Sequence, residues 1–214
     1  MKGFDYSVEI KDSKTYEKLR PVGKSLVNKL YKIEYVGVEN IPEEGGFILA
    51  SNHIDALDPV FIGLGMEKRQ LHFMGKKELF ENPIVKKFLT KLNGFPIVRG
   101  SADSEALNYA IRVVKEGNIL SIFPEGTRSK DFKPARAKSG VAVIAKEAKA
   151  DILPVSIYTS DDMKKGTKLT IRYGEVIPYE SLGINEESSR EEIRGCAQTV
   201  MAEITKLWEM GHCE

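Results

Sequence analysis

The sequence predicts a single-domain α/β fold in which a mixed, largely parallel sheet is covered by helices on both faces. Three observations support this prediction. Short apolar runs alternate with helical patterns along the chain. Residues 47–50 and 119–123 are mostly apolar, as expected for central strands buried on both faces. The chain has 214 residues, which is the length of one α/β domain with a sizeable core.

Seven strands and six helices are expected in chain order. The helix at residues 102–116 has the clearest signal, because Ser101 can cap its start, apolar residues form one stripe, and Gly117 can end it. The last two strands are too close in sequence for a crossover helix, so part of the sheet is expected to be antiparallel. The predicted strands lie at residues 31–38, 46–50, 70–75, 94–98, 119–123, 152–156 and 168–173, and the predicted helices at residues 16–30, 59–66, 83–92, 102–116, 139–149 and 190–210.

Two of the predicted helices are both amphipathic and basic. The first belongs to residues 1–30, an N-terminal amphipathic helical segment that precedes the α/β domain at residues 31–214, and the second is the helix at residues 83–92. Each can lie in the interface of an anionic membrane, or can pack on the sheet with its lysines in water. Both interpretations stay open. The apolar positions are Leu19, Val22, Leu26 and Leu30 in the first helix, and Ile84, Val85, Phe88, Leu89 and Leu92 in the second.

The composition excludes several classes of protein. Lys and Arg total 32 against 31 Asp and Glu, which disfavours a globally basic nucleic-acid binder. The two cysteines, Cys196 and Cys213, have no spacing typical of a zinc site or a disulfide framework. The first twenty residues lack the apolar core of a signal peptide, and no run approaches the ~18 to 20 apolar residues of a spanning helix. We therefore expect a cytoplasmic protein that reaches a membrane only from its surface.

His53 and Asp58 are the first candidate functional residues. On a continuous helix, residues five apart differ by about 140° around the axis and do not face each other. Pro59 indicates a turn, because it biases Asp58 out of the helical region and suits the first position of a helix that Asp58 would cap. His53 follows a buried strand, where α/β proteins tend to bind ligands. The turn can bring the carboxylate to the imidazole and fix its tautomer while the other ring nitrogen accepts a proton.

Other interpretations of this pair remain open. Asp58 can be only a helix cap, and His53 only a loop histidine bonded to the backbone. Ser51 would point to the opposite face if the strand continued, which argues against an acyl-enzyme of the Ser-His-Asp kind. A base acting on a substrate hydroxyl is therefore the favoured role for His53. The remaining histidines, His72 within a strand and His212 in the tail, are not expected to be catalytic.

The segment at residues 123–129 follows a buried strand and is suited to an anionic substrate. Gly126 permits a positive φ, Arg128 offers a planar fork for phosphate, and Thr127 adds a hydroxyl donor. Glu125 can receive a substrate hydroxyl or hold Arg128 in place. The alternative is a surface turn with a solvated arginine.

Two further loops carry cations. The segment at residues 94–100 ends a strand at Arg99, just before a helix N-terminus, and Lys138 opens another helix. The glycine patterns of Walker and dinucleotide-binding loops are absent from the sequence. Together with the histidine–aspartate pair, the three loops indicate transfer chemistry on a phosphorylated alcohol.

With these pieces in place, the chain resembles the 1-acyl-glycerol-3-phosphate acyltransferase (lysophosphatidate acyltransferase, PlsC-type) family over residues 31–178. The resemblance rests on four blocks in the family's order: Asn-His53-x4-Asp58, Gly94-Phe-Pro-Ile-Val-Arg99-Gly, Phe123-Pro-Glu125-Gly126-Thr-Arg128-Ser, and Ile152-Leu-Pro154-Val-Ser. One block alone is weakly specific, whereas four in order at family-like spacing are a strong signal. The run at residues 37–46 before the first central strand is also typical of the family.

The resemblance implies a role for each matched residue. His53 is the base and Asp58 its partner, and Pro154 shapes the acyl or acceptor pocket. The glycerol-phosphate part of the acceptor is bound by Arg99, Glu125, Gly126 and Arg128.

The chain also departs from the family pattern. Asp55 stands where a small hydroxyl residue is common, and the short N-terminus without a spanning helix favours a peripheral enzyme on the inner face of the membrane. The Phe-Lys-x-Gly stretch that often follows the third block is altered here to Phe132-Lys133-Pro134-Ala135.

The implied reaction is direct acyl transfer from acyl-CoA or acyl-carrier protein to the free hydroxyl of lysophosphatidate, giving phosphatidate. The expected partners are the lysophospholipid acceptor, the thioester donor and an anionic membrane surface, with no nucleic acid. No metal or cofactor is expected beyond the thioester co-substrate. Three alternatives remain: acyl transfer to another glycerol-phosphate or lysolipid, thioester hydrolysis, and a non-catalytic module that binds lipid or phosphate.

Overall fold

The computed structural model describes residues 4–98 and 103–213, and over them the chain forms seven strands and six α-helices. Every strand and helix expected from the sequence is present, with ends that differ by a few residues. The predicted and the observed elements both follow the alternation of short strand segments and longer amphipathic segments along the chain. The strands are β1 Lys32–Val36, β2 Phe47–Ser51, β3 Leu71–Lys76, β4 Gly94–Ile97, β5 Ile119–Ile122, β6 Ile152–Tyr158 and β7 Lys168–Tyr173, and the helices are α1 Lys14–Leu30, α2 Asp58–Gly65, α3 Pro83–Lys91, α4 Ser104–Lys115, α5 Gly140–Ala148 and α6 Arg190–Glu209.

The strands form one mixed sheet in the order β1-β7-β6-β2-β5-β3-β4. The five strands from β6 to β4 are parallel to one another, β7 is antiparallel to β6, and β1 is parallel to β7. The antiparallel pair is the one expected, since only nine residues separate β6 from β7 and a crossover helix does not fit. The prediction of a mixed, largely parallel sheet is confirmed.

Helices cover both faces of the sheet. In β2, the side chains of Ile48 and Ala50 join one apolar cluster, while those of Phe47 and Leu49 join the other. The first cluster is completed by α4, α5 and α6, and the second by α1 and α2. This alternation buries β2 completely, because successive side chains of a strand point to opposite faces and both faces are packed.

The third helix lies on the same face as α1 and α2. A Cβ placed on Gly94 would lie 2.8 Å from the ring of Phe73 and 3.0 Å from the carbonyl oxygen of Leu89 in α3. Phe73 is two residues after Leu71 in β3, so both side chains point to the same face of the sheet, and Leu71 belongs to the apolar cluster completed by α1 and α2. The contact therefore places α3 beside the edge strand β4 on that face. Within residues 4–98 and 103–213, no helix combines the length and the apolar content needed to cross a bilayer.

The start of α4 corrects one expectation. The residue before the helix is Asp103, whose side chain accepts a hydrogen bond of 3.2 Å from the N–H of Ala106. Asp103 is thus the N-cap, while Ser101, which was expected there, lies outside the described residues. At the other end, Gly117 has φ +84°, as expected for a glycine that ends a helix.

The parallel strands bring the predicted loops to one edge. Ala50 of β2 pairs with Ile122 of β5, so the segments that follow the two strands leave the same edge side by side. His53 follows β2 and residues 123–129 follow β5. The carboxyl edge of a parallel sheet is where such folds bind ligands.

Candidate active site

The loop after β2 is held in place by Asn52. This buried side chain donates from Nδ2 to the carbonyl of Ile157 at 2.9 Å, and its Oδ1 accepts from the N–H of Ile157 at 2.8 Å. Ile157 lies in β6, which pairs with β2. The side chain of Asn52 thus extends the contact between the two strands past the end of β2. His53 is the next residue, so the backbone on its N-terminal side is held in place by these bonds.

His53 and Asp58 meet as the turn between them predicts. Nδ1 of His53 lies 2.7 Å from Oδ2 of Asp58, with Asp58 fully buried and His53 8% exposed. The same Oδ2 accepts from the N–H of Ile54 at 2.7 Å and from the N–H of Asp55 at 2.9 Å. The carboxylate thus organises the whole turn and holds the imidazole with Nδ1 protonated.

The expectation that Asp58 caps α2 is wrong. Asp58 is the first residue of the helix, and Leu57 occupies the cap position without a side-chain hydrogen bond. The carboxylate turns back toward the preceding loop, where three donors compete for it. All three donors contact Oδ2, while the buried Oδ1 accepts no hydrogen bond from a described residue, so neither oxygen caps the helix.

Burial raises the pKa of the Asp58 carboxyl, and the hydrogen bonds from His53, Asp55 and Ile54 oppose that change. These bonds favour the ionised form, which stabilises an imidazolium when the ring gains a second proton. Nε2 of His53 makes no hydrogen bond to any residue that the structure describes. With Nδ1 committed to Asp58, Nε2 is the nitrogen that can accept a proton.

The loop after β5 holds the backbone of His53 on both sides. Oε1 of Glu125 accepts from the N–H of His53 at 3.0 Å, and the N–H of Ser129 donates to the carbonyl of His53 at 2.8 Å. The ring of Phe123 stacks on the imidazole with a centroid distance of 4.0 Å and an interplanar angle of 14°. Three residues of one loop therefore position the histidine.

Glu125 lies in the interior rather than at the surface. Its side chain is 3% exposed, and burial raises the pKa of its carboxyl to about 7, with a further contribution from the negative charges of Asp58 and Asp131. Among the described residues, Glu125 forms no ion pair with Arg128. Its observed hydrogen bond is with the backbone N–H of His53.

The cations of the predicted loops lie at the surface of the same edge. Arg128 and Thr127 are exposed. Gly126 has φ +70°, and a Cβ there would lie 2.9 Å from Nζ of Lys138. The lysine side chain therefore packs directly against Gly126, in space that a larger residue would fill. The N–H of Lys138 also donates to the carbonyl of Pro124 at 2.8 Å, which joins the two segments. Arg99 lies outside the described residues.

Pro154 has a different setting. It pairs with Ala50 in the sheet, and its ring and carbonyl lie 3.0 and 3.2 Å from a Cβ placed on Gly174, next to Leu207 of α6. The structure therefore places Pro154 in the packing between β6 and α6. His72 is buried in β3, and burial lowers the pKa of its imidazole to about 4.

Three contributors to the site were not assigned a role by the sequence: Asn52, Phe123 and Ser129. The position of Asn52 next to His53 was visible, but its bonds reach a residue 105 positions away. Phe123 was counted as the last residue of a predicted strand, and Ser129 only as a member of the segment at residues 123–129. Over the described ranges, no group of three or more His, Cys, Asp or Glu side chains is arranged to hold a metal ion.

Comparison with known proteins places this geometry in a family. Residues 32–158 match the model of the Acyltransferase family. A 1-acyl-sn-glycerol-3-phosphate acyltransferase of Bacillus subtilis is 31% identical over 172 residues, covering 79% of this chain and 84% of that protein. A Streptococcus pneumoniae protein of the same name is 31% identical over 183 residues, covering 81% of this chain and 67% of that protein.

The fold is also that of a solved relative. The crystal structure of the 1-acyl-sn-glycerophosphate (LPA) acyltransferase PlsC from Thermotoga maritima matches with a TM-score of 0.71 and 28% identity, covering 93% of this chain and 81% of that chain. Family model, relatives and fold agree, and the chain belongs to the acyltransferase family, among its PlsC-type members.

Proposed function

We propose that this protein is a 1-acylglycerol-3-phosphate O-acyltransferase of phospholipid synthesis, which transfers a fatty acyl group from acyl-CoA or acyl-carrier protein to the sn-2 hydroxyl of lysophosphatidate. The observation that carries the proposal is the buried His53–Asp58 pair with Nε2 left to accept a proton. The names of its relatives support the choice of acceptor.

The proposed reaction proceeds by direct attack. Nε2 of His53 removes the proton of the sn-2 hydroxyl while its oxygen bonds to the thioester carbonyl carbon, and Asp58 stabilises the imidazolium. The tetrahedral intermediate then collapses, the carbon–sulfur bond breaks, and the imidazolium returns its proton to the departing thiolate. The products are phosphatidate and the free thiol of the carrier. General base catalysis supplies about 10²- to 10⁴-fold, so positioning contributes much of the remainder.

The acceptor phosphate is proposed to bind the cations beside the base. Arg128 and Lys138 are exposed at the edge where His53 lies, and Thr127 adds a hydroxyl. Arg99 is proposed to join them, because the resemblance assigns it to the acceptor. Glu125 and Gly126 are proposed to contribute by fixing the conformation of the loop that carries Arg128. Pro154 is proposed to contribute indirectly, through its packing between β6 and α6. No metal or cofactor enters the proposed reaction.

We propose that the enzyme works as a peripheral protein on an anionic membrane surface, at its cytoplasmic side. The large apolar side chains that the six helices expose all lie on one face of the sheet, and none lies on α4, α5 or α6. Lysines of α1 and α3 flank them. Apolar residues ringed by lysines are typical of interfacial surfaces. The exposed residues are Leu19, Val22 and Leu26 of α1, Val60 of α2, and Ile84, Val85 and Phe88 of α3.

The test is release of thiol from acyl-CoA and acyl-carrier protein by purified protein, with and without lysophosphatidate. We expect release that depends on the acceptor and falls by at least about 10²-fold in His53→Ala, the lower end of a base's contribution. His212→Ala is the control, since this histidine lies in the C-terminal segment beside Thr170. Acceptor-independent release would indicate a thioesterase, and turnover that survives in His53→Ala would contradict base catalysis.

A further inference from the structure

A groove of about 820 Å³ runs beside β4, the edge strand of the sheet. One wall is α3, and the other is formed by the N-terminal segment at Phe4 and Tyr6 with the start of α4. The hydroxyl of Tyr6 donates to the carbonyl of Pro96 at 2.9 Å, which fastens this segment over the edge strand. The volume lies within the range of small-molecule sites.

The groove combines an apolar floor with a cationic wall. Phe4, Phe80 and Pro96 are part of the floor. Lys87 and Lys91, one helical turn apart on α3, line the wall, and neither forms an ion pair with another described residue. The acidic residues at the groove are the exposed Glu81 and Glu105, and Asp103, whose carboxylate is occupied by two backbone N–H groups.

The lysine face of α3 is distinct from its exposed apolar residues. Ile84 and Phe88 follow Pro83 and Lys87 by one position, and one position corresponds to about 100° around the helix axis. The helix can therefore present Ile84 and Phe88 to a membrane while Lys87 faces the groove. The exposed apolar side of α3 and its lysine side can therefore bind a membrane and a ligand of the groove at the same time.

The groove and His53 lie at the same edge of the sheet, with the groove beside β4 and His53 after β2. Three strand spacings, about 14 Å at ~4.8 Å each, separate β4 from β2 in the sheet order. The groove reaches the carboxyl edge at Val98, and His53 leaves β2 at the same edge. From phosphorus to sulfur a 4′-phosphopantetheine arm has one bond more than the backbone of four residues, so it extends to roughly 15 Å and can reach across these strands.

We propose that this groove binds the phosphate and pantoate end of the donor's 4′-phosphopantetheine arm, an inference that rests on the proposed acyl transfer. Lys87 binds the phosphate, and the apolar floor contacts the geminal dimethyl group beside it. The two amides of the arm then run along the carboxyl edge and deliver the thioester to His53. Because coenzyme A and acyl-carrier protein share this arm, the groove serves either donor.

The kinetic test uses Lys87→Glu, which reverses the charge on the wall, and Thr90→Trp, which fills the groove from an exposed helical position. Lys115→Glu and Thr199→Trp are matched controls on exposed helical positions away from the groove. With lysophosphatidate dispersed in non-ionic detergent, we expect the KM for acyl-CoA and for acyl-carrier protein to rise by about tenfold in both groove variants. The KM for lysophosphatidate and the behaviour of the controls should not change.

Three results would overturn the proposal. An unchanged donor KM would show that the groove is not used, and a raised acceptor KM would assign it to the acceptor. An effect confined to acyl-carrier protein would assign it to the surface of that protein rather than to the arm. Calorimetric binding of 4′-phosphopantetheine to wild type and to Lys87→Glu separates this inference from the proposed function, because it needs no turnover. Binding that weakens in the variant supports the groove, and absence of binding to wild type refutes it.

Discussion

Oδ2 of Asp58 accepts three hydrogen bonds, and this decides how substitutions at position 58 should behave. Asp58→Asn keeps the shape and an acceptor oxygen, but loses the charge that supports the imidazolium. We expect kcat/KM to fall by about 10²- to 10⁴-fold with little change in Tm. Asp58→Ala also leaves the buried N–H of Ile54 and the partly buried N–H of Asp55 without an acceptor, and the buried donor alone costs about 1–3 kcal/mol in the free energy of unfolding. Activity of Asp58→Asn within a few-fold of wild type would contradict the assignment.

Glu125 should make stability depend on pH in an identifiable window. Its pKa is about 7 in the folded protein and about 4.3 in an unfolded chain, so the folded state binds more protons between these values. The free energy of unfolding contributed by this group therefore falls as pH rises from about 4.3 to 7.

The measurement is urea unfolding of Glu125→Gln and wild type at several pH values. We expect the variant to gain stability relative to wild type between pH 5 and pH 8, since glutamine keeps an acceptor for the N–H of His53 and does not ionise. Glu105→Gln, at an exposed position, is the control. A difference between Glu125→Gln and wild type that stays constant over this range would contradict the raised pKa.

At the scale of the elements, Gly46 and Gly195 should respond in opposite ways to alanine. A methyl group on Gly46 would overlap the carbonyl oxygen of Val114, so α4 would have to move away from the start of β2. At Gly195, within α6, a Cβ meets nothing within 4 Å. We expect Gly195→Ala to raise the free energy of unfolding by up to about 1 kcal/mol and Gly46→Ala to lower it, measured by urea unfolding. A stable Gly46→Ala would show that α4 can shift freely.

The elements themselves were predictable because their signals are local. All seven strands overlap the predicted segments, and the end of α4 was marked by Gly117. The expectation that Asp58 caps α2 was wrong because N–H groups of the preceding loop bind its carboxylate, which the sequence does not reveal. Pro59 suits a first helical turn in either case, whereas only the folded loop shows that donors behind Asp58 claim its carboxylate.

The contacts that hold His53 and Asn52 in place were less predictable because they are long-range. Glu125 lies 72 positions from His53, and Ile157 lies 105 positions from Asn52. The sequence placed each of the two loops after a buried strand, but the adjacency of those strands, β2 and β5, is seen only in the structure. It assigned Glu125 to a substrate hydroxyl or to Arg128, whereas in the structure the carboxyl is buried and accepts from the N–H of His53.

At the scale of the whole molecule, the one-sided apolar surface should govern membrane binding. Ile84 is 78% exposed and Phe88 52%, so replacing both by serine removes apolar area with little effect on the core. We expect Ile84→Ser/Phe88→Ser to weaken binding to phosphatidylglycerol vesicles by at least about tenfold, because a buried side chain of this kind contributes about 1.5–3 kcal/mol. Vesicle sedimentation measures this, with Met210→Ser, an exposed residue after α6, as the control. Equal loss in the control would contradict a defined face.

The stacking of Phe123 on His53 also gives this imidazole a spectroscopic signature. At 4.0 Å and 14°, the imidazole lies over the face of the benzene ring, inside the region that its ring current shields. The Cε1 and Cδ2 protons of His53 should therefore resonate upfield of those of an unstacked histidine. The protonation of His53 can then be followed in a proton NMR titration of the resting enzyme, without substrate or turnover.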